Sequence, residues 1–81
     1  MNQLAAMEET VWIANERGMP NLPGNDLGLD HLRTMLFAMN TEPMSDSKMG
    51  RWLGWAQCAV VAADIGLTLD DMKHINRRWD S

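Results

Sequence analysis

Residues 47–64, SKMGRWLGWAQCAVVAAD, carry the reading on which the fold turns. Trp52 and Trp55 stand three apart beside Gly50 and Gly54, four apart, and the stretch then runs apolar for about two more turns. On a helix, Trp52, Leu53, Ala56, Val60 and Ala63 share one face while Trp55, Ala59 and Ala62 cover a second. A helix that is apolar nearly all round belongs inside a domain, so this one is expected to be central. Gly50 and Gly54 fall on one side. A glycine inside a helix costs about 1 kcal/mol against alanine, which predicts a packing reason: a groove where another backbone comes close. A ligand or partner groove is the less economical reading of the same pair.

The flanks supply the ends of this helix and three more. Ser45 and Ser47 can accept backbone N–H bonds, and Asp46 suits the positive end of a helix dipole, so the third helix is expected over about 46–64, with Gly66 as its stop. Thr68 with Asp71 three later makes a capping-box-like start to a fourth helix, whose core face is Met72, Ile75 and Trp79. Upstream, Leu29, Leu32, Met35, Leu36 and Met39 form a stripe over roughly 29–41, ended by Pro43 because the residue before proline avoids helical geometry. MPNLPGNDLG, rich in proline and glycine, is the one long loop. Before it, Leu4, Met7, Val11 and Ala14 recur at helical spacing over roughly 3–17, and Gly18 follows as a C-terminal stop. No repeat or alternating strand pattern appears. The expected fold is all-α: a compact four-helix domain over 1–81, with the helix at about 46–64 central.

Composition narrows the classes. In 81 residues, 46% hydrophobic and 22% charged, there is apolar material for one core and no room for two. The one cysteine, Cys58, can form neither an internal disulfide nor a multi-thiolate metal site, which fits a reducing compartment. Eight Met and four Trp supply large, adaptable core side chains. Glu8 and Glu9 interrupt the start where a signal peptide would be apolar, so secretion is not expected. The run from Trp52 to Ala63, broken by Gln57, is too short for the ~20 residues of a membrane span. A net charge of −4 argues against nucleic acid and anionic membranes as partners.

Residues 59–78, AVVAADIGLTLDDMKHINRR, have helix-turn-helix spacing, which makes a DNA-binding regulator the alternative functional reading, with Lys73, Arg77 and Arg78 as its contacts. Against it, the second helix would open on Asp70 and Asp71, which phosphates repel, and the three cations sit where a helix dipole favours them in any case. His31, His74 and Cys58 lie in different helices without zinc-ligand spacing. Asp70 could orient His74, but no nucleophile or phosphate loop accompanies them, so no metal, cofactor or catalytic residue is expected, and the chain is not expected to be an enzyme. Arg51 is expected to stack or to pair with an acid on a neighbouring helix, and Gln57, inside an apolar helix, needs hydrogen-bond partners. Trp12, Ile13 and Phe37 fall off the core stripes. They either wrap a wide core face or form a patch for a protein partner or a second copy of the chain.

Ser47, Lys48, Arg51, Trp52, Leu53, Gly54 and Gln57 resemble a segment of short proteins encoded in bacteriophage and prophage genomes that reads serine or an acid, lysine, two variable residues, RWLG, an aromatic, one residue and glutamine, and Leu67 to Arg77 is similar to the closing part of the same proteins. In many of those a glycine follows the glutamine; Cys58 stands there in this chain. The resemblance implies a phage or prophage accessory protein without an assigned activity, working in the bacterial cytoplasm by contact with a protein. It makes Arg51, Trp52, Leu53, Gly54 and Gln57 a structural motif.

Overall fold

The computed structural model describes residues 1–80, which form four helices: α1 (Gln3–Glu16), α2 (Leu29–Thr41), α3 (Asp46–Ala62) and α4 (Leu69–Arg78). No strand occurs among the described residues. Both α1 and α3 pack against all three other helices. The radius of gyration, 11.7 Å, is that of a folded chain of this length. The all-α four-helix architecture read from the sequence is the one observed.

Each boundary has a local cause. The Asn2 side chain accepts from Ala5 N at the head of α1. At its foot, Gly18, with φ +77°, lets Met19 N reach the Ala14 carbonyl (3.0 Å) and Gly18 N the Asn15 carbonyl (3.1 Å), a Schellman arrangement that carries Met19 into the core. The loop then folds back on α2. Asp30 Oδ1 accepts from Leu22 N (3.0 Å), and the Pro20 carbonyl accepts from Leu29 N (2.9 Å). Glu42, extended at φ −114° and ψ 143°, ends α2 immediately before Pro43. Ser45 caps α3 by accepting from Lys48 N (3.1 Å). Thr68 and Asp71 make a complete capping box at α4: Thr68 Oγ1 accepts from Asp71 N, and Asp71 Oδ2 accepts from Thr68 N (2.8 Å).

The foot of α3 departs from expectation. The helix stops at Ala62, before the expected 64, because Asp64 turns into the left-handed region at φ 57° and Gly66 follows at φ 82°. Aspartate is among the few non-glycine residues that adopt this conformation readily.

Met7, Ala6, Val11 and Ala14 of α1 meet Leu53, Ala56, Ala59 and Val60 of α3, with Leu32 and Met39 of α2, Met72 and Ile75 of α4 and the loop residues Met19 and Leu67 closing the same cluster. Leu53, Ala56 and Val60 are therefore central, as expected. Trp52 is not. It is only partly buried against the edge of the cluster, and Lys48 Nζ lies 5.0 Å above its ring. Nor is α3 covered all round, since Trp55 and Ala62 face outward. The two helix glycines admit no neighbouring backbone. A Cβ on Gly54 would meet open space, and one on Gly50 would touch only the Gln3 side chain at 3.5 Å.

Candidate functional site

One polar chain crosses the core. Gln57 of α3 is buried and donates to Thr10 Oγ1 of α1 (3.3 Å) and to Asn76 Oδ1 of α4 (2.8 Å), while Asn76 Nδ2 donates back to Gln57 Oε1 (3.1 Å). Thr10 Oγ1 in turn donates to the Ala6 carbonyl (2.8 Å). Both amides of this network, those of Gln57 and Asn76, have partners, so it reads as a device that fixes how α1, α3 and α4 meet. The partners expected for Gln57 are thus present. Arg51, by contrast, reaches no acid: it is exposed and its Nη1 donates to Ser47 Oγ one turn back (3.1 Å). Among the described residues the acid–arginine pair is Glu9 with Arg78, joining α1 to the end of α4.

That pair forms a knot with a tryptophan. Arg78 Nε donates to Glu9 Oε1 (3.0 Å), Arg78 Nη2 donates to Glu9 Oε2, and Trp79 Nε1 also donates to Glu9 Oε1 (2.9 Å). The hydrogen bond from Arg78 holds the Glu9 carboxyl below its ordinary range against the opposing effect of burial, with Trp79 assisting. The same contact raises the already high pKa of Arg78. Sequence reading missed this knot because its members lie at opposite ends of the chain and no local pattern joins them.

Of the residues singled out for a partner, Trp12 and Phe37 are 60% and 69% exposed, far out for side chains of this size. Ile13 leaves the set. It is partly buried and packs against the core cluster, because the groove between α1 and α4 lies on its side of the helix. Two more large apolar residues on the helices face outward: Leu69, 62% exposed in the first turn of α4, and Trp55, 48% exposed, whose Nε1 donates to the Asp26 carbonyl (3.3 Å). On sequence alone the all-round apolarity of α3 places Trp55 inside, and Leu69 follows a cap, where no stripe is yet established.

Besides the α1–α4 groove that Trp12 and Ile13 line together, three surface grooves lie beside these side chains. One of about 410 Å³ is lined by Ala5, Glu8, Glu9, Trp12 and Trp79. A second, about 440 Å³, lies between α3 and α4 and is lined by Gly54, Cys58, Val61, Leu69 and their neighbours. A third, about 460 Å³, runs between α2 and α3 beneath Trp52 and Trp55. His31 Nδ1 lies 3.7 Å from Asp26 Oδ1, and both it and His74 are outside the hydrogen-bonded networks just described. Among the described residues no three His, Cys, Asp or Glu side chains converge on one point.

Lys73, Arg77 and Arg78 are all exposed on α4, but Arg78 is committed to Glu9. The connection between α3 and α4 occupies residues 63–68, longer than the about three to four residues of a helix-turn-helix turn. No helix is long and apolar enough to cross a membrane among the described residues. No protein-family model, curated protein or solved structure matches the chain.

Proposed function

We propose that this chain is a small phage or prophage accessory protein of the bacterial cytoplasm that acts without catalysis, by contact with a protein partner or a second copy of itself. The observation that carries this reading is the exposure of Trp12, Phe37, Trp55 and Leu69 on a domain whose core is closed without them. Exposed aromatic and large aliphatic side chains cost solubility and contribute nothing to this core, and they are the residue types on which protein interfaces concentrate their binding energy. A small helical domain can also bury such residues against its own copy and gain stability that its core alone does not supply.

Sedimentation of the purified chain and affinity capture from a bacterial lysate test the reading together, wild type beside the double variant Trp12→Ala, Phe37→Ala. The wild type is expected to self-associate or to retain a discrete protein, and the folded double variant to do neither. A strict monomer that retains nothing overturns it, as does a double variant indistinguishable from the wild type.

A further inference from the structure

We propose that the groove between Trp12 and Trp79 is a seat for an arginine side chain presented by the protein partner, an assignment that rests on the interaction reading above. Ala5, Glu8 and Trp12 follow one another at helical spacing along α1 and line the groove, with Trp79 facing them from the end of α4. The small side chain of Ala5 leaves the floor open. Trp79 is held in place by its N–H bond to Glu9, and Glu9 is itself paired with Arg78, so the Glu9 carboxylate is not available to an incoming charge while the Trp79 ring is fixed beside the groove. Glu8 differs. It is exposed and takes part in no ion pair among the described residues.

Two indoles and one uncompensated carboxylate define the occupant by exclusion. An aliphatic side chain would use the indoles alone and leave Glu8 without a partner, and an anion would be repelled by it. A cation is attracted both by the ring faces and by the carboxylate. Among cations a guanidinium fits best, because its plane stacks on an indole while its N–H fork pairs with a carboxylate, which the compact ammonium of lysine cannot do at once. The chain's net charge of −4 favours approach of the basic segment that would present it.

The test uses the full chain labelled with nitrogen-15, whose tryptophan indole N–H signals are assigned by single Trp→Phe variants. It is titrated with N-acetyl-arginine amide and, separately, with the citrulline equivalent, which has the same shape and no charge. Saturable shifts of the Trp12 and Trp79 signals are expected with arginine at ~millimolar concentration, with Trp52 and Trp55 unmoved and citrulline without effect. Trp12→Ala, at an exposed position outside the core cluster, should abolish the response of Trp79. Glu8→Gln should weaken binding roughly two- to fivefold. No shift up to about 50 mM, equal shifts with citrulline, or a Trp79 response unchanged in Trp12→Ala overturns the assignment. A chain that ignores arginine yet captures a partner through Trp12 and Phe37 overturns this seat and leaves the interaction reading standing.

Discussion

Gln57 shows how a single side chain organises this molecule. In an apolar helix its amide would be costly without partners; here Thr10 and Asn76 complete it, and the three helices that carry them are thereby locked in register. Replacing Gln57 by Leu keeps the volume but leaves the partly buried Asn76 amide unpaired, and should cost about 1–3 kcal/mol in urea unfolding. Leu53→Ala, at the centre of the core, should cost ~2–5 kcal/mol by the same measurement. Glu9 gives a pH dependence whose sign is fixed. Because the Arg78 hydrogen bond lowers its folded-state pKa, the stability it confers is complete above the ordinary carboxylate value of ~4.3 and is lost as pH falls through the lowered folded value. Asp71 acts in the same direction through its hydrogen bonds from Thr68. Urea midpoints measured from neutral pH downward should therefore fall more steeply for the wild type than for Glu9→Gln, and equal slopes would remove the knot from the stability of the fold.

At the scale of the helix, boundaries were legible wherever a local contact sets them. Ser45, Thr68 with Asp71, Gly18 and Pro43 each act on residues within one turn of themselves, and each ends or begins a helix where its chemistry says it should. The end of α3 lies before the expected 64 because Asp64 itself takes the left-handed conformation ahead of the glycine at 66, a choice that the more obvious glycine signal hides. Isolated helices as short as α4 are marginal, so its cap matters: Thr68→Ala should cost about 1 kcal/mol and lower helical ellipticity near the melting transition first. Faces were harder to read than ends. Periodicity identifies the stripe of α1 but not the width of the surface that covers it, and Ile13, off the stripe, is reached by the α1–α4 packing.

For the whole molecule, what the sequence withholds is the arrangement of helices around one another. Trp55 belongs to an apolar helix and still faces outward, because three neighbours do not enclose α3. The Glu9, Arg78 and Trp79 knot, and with it the groove beside Trp12, exists only once the two ends of the chain meet. The balance of charge, by contrast, needs no coordinates. With α4 opening on Asp70 and Asp71 and Arg78 already paired, labelled duplex DNA should show no submicromolar binding by fluorescence anisotropy at physiological salt; tight binding that weakens steeply with salt would turn attention to Lys73, Arg77 and Arg78. The central claim, that the outward aromatic side chains meet a protein, is tested most directly inside cells. A photo-crosslinking amino acid placed at Trp12 or Phe37, and at the exposed Asp46 as control, is irradiated in a bacterial host expressing the full chain. Discrete crosslinked protein species at positions 12 and 37, absent at 46, are predicted; no crosslink at either position, or the same pattern at all three, would contradict it.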